Sequence, residues 1–344
     1  MKQIFYTPQY SITICALYIS LLAIGFMLVG CEKIDIMSHE VDGFKVGMLL
    51  PASIDDKGWN ALAYDALLAI EEELDAIISP VESHTPAKQK ADAYSLAAEG
   101  HNLIFGHGYE YGAPVKIIAP DFPETVFVIS SGDIVAENIA SINFQIEPAT
   151  YLLGIIAGMM TKTKKIGVIG GQDFPAVVSA FDAFEAGVES VNPEAEVRHD
   201  YVGNWEDVAK GKELAIAQIN EGIDFIFPNA DLAGRGAFMA AEEAHAAGNI
   251  VYTFGANRDQ SEVSPTTVIA NAVITPRPFV EIAKHVKDGT FTPQIYTFTM
   301  STDRAIDLVY NPALMDKVPE AVKTKVAEAQ TKILSGELVV TQTE

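Results

Sequence analysis

Two tryptophans, Trp59 and Trp205, are the only ones in the chain, and each sits in a short loop rich in carboxylates and amides. The first loop reads Asp55-Asp56-Lys57-Gly58-Trp59-Asn60 and the second Gly203-Asn204-Trp205-Glu206-Asp207. An indole ring offers a broad apolar face for stacking and a polar N–H at its edge. Two such rings are expected to hold one flat, unsaturated ligand, and amides and carboxylates beside them would read its edge. The commoner use of a lone tryptophan is to cap a helix or fill a core, and the elements around each ring decide between these roles.

The sequence carries no catalytic constellation. It has no Gly-x-Ser-x-Gly elbow, His-Glu-x-x-His pair or Walker loop, and its seven histidines are scattered singly. The protein is therefore read as a binder and not an enzyme, with no cofactor. Gly167 to Gly171 follows an apolar run, but Asp173 and the acidic surroundings oppose a pyrophosphate there. Asp55, Asp56, Asp231 and Asp259 match no calcium-loop spacing, so no metal site is expected.

Strand-like apolar runs alternate with helix-like segments through the body of the chain, the pattern of parallel α/β layers. Runs at 44–50, 102–106, 126–130 and 139–144 make one series, and 165–170, 197–202, 224–228, 250–254 and 267–273 a second. The two series echo each other. Lys45-Val46-Gly47-Met48 parallels Lys165-Ile166-Gly167-Val168, and Leu103-Ile104-Phe105 parallels Phe225-Ile226-Phe227 at a similar distance downstream. Two doubly wound parallel-sheet lobes with a cleft between them follow. Lobe 1 is assigned to 44–147 plus 275–293, and lobe 2 to 148–274 plus 294–344 with a C-terminal helix over 312–336. Crossings near 145–150, 274–278 and 292–296, marked by Pro148, Pro276, Pro278 and Pro293, would serve as hinges.

In open parallel sheets, ligands bind beyond the carboxyl ends of the strands, where loops and helix N-termini converge. That rule gathers both tryptophans with Asn60, His107, Tyr109, Tyr111, Phe174, Asn229, Asp231, Asn257 and Asp259. Asn60, Asn229, Asp231 and Asn257 are the residues expected to bond the ring edge. His107 is either a ligand contact or a loop-packing residue.

The first thirty residues read as an export signal. Lys2 is followed by an apolar stretch over 11–29, and Leu28-Val29-Gly30-Cys31 forms a lipobox, so Cys31 becomes a lipidated N-terminus and 31–43 a polar tether. A transmembrane span is the rival reading of this stretch. With Cys15 lost in the signal, no disulfide is expected. The formal charge of −23 argues against nucleic acid and against polyanionic ligands, because little here would neutralise phosphates.

These residues together resemble the basic membrane protein family of bacterial lipoproteins. The resemblance rests on Asp55 to Asn60, the helix from Tyr151 to Gly158 before Lys165, Asn192-Pro193, Gly203 to Asp207, Asn229-Ala230-Asp231 and Asn257 to Gln260. It implies the type I periplasmic binding protein fold and the role of substrate-binding component of an ABC importer. The expected partners are a permease, an ATPase and the membrane through the lipid on Cys31, with the protein a lipid-anchored monomer outside the cytoplasm. In relatives that bind purine nucleosides, two aromatic rings sandwich the base, and these positions fall on Trp59 and Trp205. Three sugar and base contacts differ: Leu50 and Asn257 stand where those relatives have aspartates, and Ile274 where they have a lysine. The pair of tryptophans with the altered sugar contacts is similar to a branch that takes up free nucleobases. A purine nucleobase or nucleoside is expected, with a flavin or other vitamin, or a sensing role toward a membrane receptor, as alternatives.

Overall fold

The computed structural model describes residues 43–301 and 304–340. The signal peptide, Cys31 and most of the tether expected over 31–43 lie outside the described residues. In chain order the first part comprises β1 (Lys45–Leu50), α1 (Trp59–Leu74), β2 (Ile77–Glu82), α2 (Pro86–Ala98), β3 (Leu103–His107), α3 (Gly112–Ile118), β4 (Val126–Ser130) and β5 (Ile139–Phe144). The second begins with α4 (Glu147–Met160) and continues through β6 (Lys165–Gly170), α5 (Pro175–Glu189), β7 (Glu196–Tyr201), α6 (Val208–Asn220), β8 (Phe225–Asn229), α7 (Asp231–Ala246), β9 (Tyr252–Asn257) and β10 (Val268–Ile274). The chain closes with α8 (Arg277–Lys287), β11 (Ile295–Phe298), β12 (Ile306–Tyr310) and α9 (Glu320–Leu334).

The strands form two six-stranded sheets, ordered β11-β5-β4-β3-β1-β2 and β12-β10-β9-β8-β6-β7. Every pairing is parallel except that of β12 with β10. Helices cover both faces of each sheet, so inner strands are apolar on both sides: Val46, Met48, Leu49 and Leu50 of β1 are all fully buried. The outer strands are marked against pairing. β2 carries Pro80 at one edge, and β7 reads Glu-Val-Arg-His-Asp-Tyr at the other.

Glycine sets the helix packing in lobe 2. A Cβ built on Gly154 of α4 would lie 2.0 Å from the carbonyl oxygen of Phe184 in α5, and one on Gly187 of α5 would lie 2.1 Å from that of Tyr151. Gly211 of α6 and Gly236 of α7 meet the carbonyls of Ala233 and Val208 in the same way. Both helix pairs therefore cross with their backbones nearly touching, and a methyl group at any of these positions would push them apart.

The chain passes between lobes after β5, after β10 and after β11. The third passage differs from the sequence expectation at 292–296. β11 pairs in parallel with β5, Ile295 opposite Ser141 and Phe298 opposite Phe144, so 295–298 belong to lobe 1 and the crossing falls between Phe298 and Ile306. The cause is α8, which packs on α1 of lobe 1 and returns the chain to the edge of the first sheet. The terminal segment is also divided, into a 3₁₀ turn at Pro312–Lys317 and then α9.

Candidate functional site

The loop from β1 to α1 is organised by Asp56, a buried carboxylate. Its Oδ1 accepts from the backbone N–H groups of Gly58 and Ala61, both at 2.9 Å, and its Oδ2 from the backbone and side-chain nitrogens of Asn60, both at 2.8 Å. Asp56 lies two residues before Gly58, the N-cap of α1, which has no side-chain cap of its own; the carboxylate takes the open N–H groups of Asn60 and Ala61 in the first turn, and its charge suits that end of the helix dipole. Asn60 is consumed in the same knot, since its Oδ1 accepts from Ala52 N–H at 3.2 Å. Asn60 therefore holds the loop and does not line the cavity, contrary to the sequence expectation.

With the loop fixed, Trp59 emerges as the first residue of α1. Its Nε1–H donates to the carbonyl of His107 at 3.3 Å, its ring stacks on the His107 imidazole with centroids 3.9 Å apart, and Phe144 meets it edge-on at 6.0 Å. His107 is fully buried, and burial holds its pKa down at about 3. The ring is thus neutral. Its Nε2 faces the Trp59 carbonyl at 2.9 Å, which can only accept, so Nε2 carries the proton and Nδ1 accepts from the Ser130 hydroxyl at 3.0 Å. His107 is the backing of Trp59, with both nitrogens committed, and it too is absent from the cavity lining.

Trp205 is placed by other means. Gly203 takes a positive φ of 90°, Asn204 Oδ1 accepts from the N–H groups of Glu206 and Asp207, and Asp207 caps α6 through Lys210 N–H. The Trp205 carbonyl accepts from Ala233 N–H at 2.9 Å, which ties the loop to the start of α7. The ring lies against the backbone of Gly171, where a Cβ would be 2.0 Å from Cε3. Phe174 is tilted beside it at 5.8 Å, and Tyr109 from lobe 1 reaches Phe174 at 6.0 Å.

Between these walls is a cavity of about 320 Å³. Trp59, Trp205, Tyr109, Phe174, Asn229, Asp231 and Asn257 all line it, so the structure gathers seven of the eleven residues the sequence singled out. Tyr111 and Asp259 are elsewhere: the Tyr111 hydroxyl is buried on the carbonyl of Ser83, and Asp259 accepts from Ser261 N–H and the Asn271 amide. The lining also includes Pro51, Glu110, Ser131, Asp133, Asn143, Phe144 and Ile274. Of these Glu110 is the consequential omission. It sits in the loop beyond β3, a strand-end position like those of the other lining residues, between Tyr109 and Tyr111.

The polar side of the cavity comes from the ends of β8 and β9. Asn229 and Asn257 are 7% and 8% exposed, and Asn257 Nδ2 donates to Asn229 Oδ1 at 3.3 Å. Asn257 and Asp231 both take left-handed backbone conformations, with φ of 66° and 49°. Asparagine and aspartate tolerate this region better than other side chains. The Asp231 carboxyl is held well above the usual carboxylate range by burial first and by the neighbouring Asp56 and Glu110 carboxyls second, with the nearby Trp59 backbone N–H of the opposite lobe working the other way. Glu110 is also raised, again by burial. Among the described residues no lysine, arginine or histidine lines the cavity, and no three His, Cys, Asp or Glu side chains are grouped to hold a metal.

Contacts across the cleft hold the lobes together beside this cavity. Gln260 Nε2 donates to the Lys57 carbonyl at 3.3 Å, and Arg258 pairs with Asp65 at 2.8 Å.

Two parallel-sheet lobes closing on an aromatic cavity have the architecture of the two-lobed solute-binding proteins. Residues 44–343 match the model of the Bmp family, described as ABC transporter substrate-binding protein PnrA-like, and the chain belongs to that family. It is 27% identical over 302 residues to basic membrane protein A2 of Borrelia garinii subsp. bavariensis, covering 86% of this chain and 88% of the relative. It is 30% identical over 321 residues to a purine-binding protein of Brucella abortus, covering 91% and 86%. Among solved structures, an ABC transporter solute-binding protein from Aeropyrum pernix K1 superposes with a TM-score of 0.79 at 22% identity, over 88% of this chain and 94% of that one, a likeness of fold.

Proposed function

We propose that the protein captures a flat heterocycle, a purine nucleobase or nucleoside, between Trp59 and Trp205, and delivers it to a membrane permease driven by an ATPase. On this reading it works outside the cytoplasm as a monomer tethered by lipid on Cys31. The observation that carries the reading is the 320 Å³ cavity walled by one tryptophan from each lobe. Stacking on an aromatic side chain contributes about 1–3 kcal/mol per ring, so the pair supplies roughly 2–6 kcal/mol of the about 8 kcal/mol that micromolar affinity requires. Hydrogen bonds from the Asn229, Asp231 and Asn257 wall supply the rest, and they confer selectivity because an unpaired polar group in such a site is costly.

The size favours a base or small nucleoside over a flavin, since 320 Å³ lies at the low end of the roughly 300–1,000 Å³ typical of ligand cavities. Ile274 lines the cavity where the nucleoside-binding relatives were expected to place a lysine near the sugar, which favours a ligand whose ribose is absent or loosely held. The resemblance to a purine-binding relative supports the same chemistry.

A thermal-shift panel of nucleobases, nucleosides, flavins and sugars tests the proposal, because a ligand that binds only the folded protein raises its melting temperature. A purine base or nucleoside is expected to raise it. A rise with sugars alone would refute the assignment.

A further inference from the structure

We infer that Gln260 is a positioning residue, the clasp of the closed lobes: its side-chain amide lies outside the cavity lining, yet it sets how much of the protein is closed and so how tightly any captured ligand is held. The inference rests on the capture reading above but not on which ligand is captured.

Side-chain contacts that cross between the lobes include Gln260 Nε2 to the Lys57 carbonyl at 3.3 Å, Arg258 to Asp65 at 2.8 Å and His84 to Glu206 at 3.4 Å. Every member of the two ion pairs is at least a third exposed, and such pairs contribute little because water and salt compete. Gln260 is 4% exposed, so its bond has no such competitor while the lobes are closed.

The surroundings allow this amide one orientation. Its Oε1 accepts from Ala256 N–H at 3.0 Å, and the Gln260 backbone N–H is held by Asn271 Oδ1 at 2.9 Å. A backbone N–H can only donate, so Nε2 is the end turned to Lys57, whose carbonyl can only accept. Lys57 takes a left-handed backbone with φ of 62°, and Gly58 beside it has no side chain to hold the amide off: a Cβ there would lie 3.4 Å from Nε2. The space remaining among Gly58, Asp231, Asn257 and Gln260 is about 10 Å³, room for one water at most.

The clasp is joined at short range to both walls of the cavity. Lys57 precedes Trp59 by two residues, and Gln260 follows Asn257 by three. A ligand that needs both walls binds the closed form, and its apparent affinity is its intrinsic affinity scaled by the closed fraction. Weakening the clasp therefore lowers affinity by one factor for every ligand, whereas loss of a ligand contact alters selectivity.

Gln260→Glu isolates the donor. Glutamate keeps an acceptor for Ala256 N–H but has nothing to donate to Lys57 when ionised, and it regains a donor when protonated. Gln260→Met removes the donor at every pH without adding charge. The test combines acrylamide quenching of the ligand-free full chain, whose only two tryptophans both line the cavity, with calorimetric titration of adenine. Both are run at about pH 9 and about pH 5, on either side of the range of a buried carboxyl. Each variant is compared with the wild type at the same pH, so that titration of Asp56, Glu110 and Asp231 cancels. The open-to-closed ratio is expected to rise about 5-fold to 30-fold, read as stronger quenching or weaker adenine binding, in Gln260→Met at both pH values and in Gln260→Glu at the higher one alone. Wild-type behaviour of Gln260→Met in both readouts overturns the inference, as does a Gln260→Glu change that is absent at the higher pH or equal at the two. If adenine does not bind the wild type, the purine assignment is refuted and quenching alone decides the clasp.

Discussion

The two tryptophans occupy matching places in their lobes but are held in opposite ways. Trp59 is locked: its Nε1–H is bonded, a neutral imidazole stacks behind it, and the Asp56 carboxylate with its four bonds fixes the loop that carries it. Trp205 rests on the bare backbone of Gly171, and its Nε1 has no hydrogen-bond partner among the described residues. One wall is pre-organised by bonding and the other by the absence of a side chain beneath it. Pre-organisation lowers the ordering cost of binding, so under the proposed function Trp59 is the platform on which a ring would land and Trp205 the cover.

The largest expected effect concerns the support of the fixed wall. His107 has a folded-state pKa of about 3 against an ordinary value near 6.5. The unfolded chain therefore binds the extra proton first as pH falls, and the stability that neutral His107 contributes is complete above about pH 6.5 and is lost toward pH 3. The loss is on the order of a few kcal/mol. His107→Gln, which keeps a donor for the Trp59 carbonyl, should flatten the denaturation profile between those limits relative to the wild type. Parallel profiles would mean that His107 does not couple the wall to pH.

Next in size are the rings themselves. Trp59→Ala should weaken purine binding by about 2–3 kcal/mol and Trp205→Ala by about 1–2 kcal/mol, the upper and lower parts of the stacking range. The reverse order, measured by titration calorimetry, would break the contrast between platform and cover. A smaller change sharpens it. Gly171→Ala leaves both rings in the sequence but forces Trp205 off its seat, and about a tenfold loss of affinity is expected with the melting temperature nearly kept. Unaltered binding in that variant would show that the position of Trp205 is not set by Gly171.

The smallest effect is on the ligand-free protein. Asp231 has a raised folded-state pKa, so its contribution has the opposite sign to that of His107: it is favourable below the ordinary carboxylate range and is lost as pH rises through the raised value, where burial and the Asp56 and Glu110 carboxyls oppose ionisation. At neutral pH, Asp231→Asn should melt slightly higher than the wild type without ligand. A lower melting temperature there would mean that the Asp231 charge stabilises the empty cleft.

The inner strands were legible because burial on both faces leaves little room for polar residues, as in Val46 to Leu50. The strands missing from the sequence reading are outer ones: β2 with Pro80, four-residue β11 and antiparallel β12, half-exposed and without a continuous apolar run. The missed β11 misplaced the third crossing. In the site, strand ends located the loops but not the direction of each side chain. Asn60 and Trp59 are adjacent, yet Asn60 turns into the Asp56 knot and Trp59 toward the cavity. His107 stands at a strand end like Asn229 and Asn257, but stacking behind Trp59 removes it from the ligand side. Such outcomes depend on which polar partner is nearest in space, and residue order along the chain does not carry that information.

The central claim, that a purine ring is held between Trp59 and Trp205, is tested most directly by titrating adenine into the wild type and the Trp59→Ala, Trp205→Ala double variant by calorimetry. The account predicts measurable binding to the wild type and none to a double variant that still unfolds cooperatively. Full adenine affinity in the double variant would contradict it.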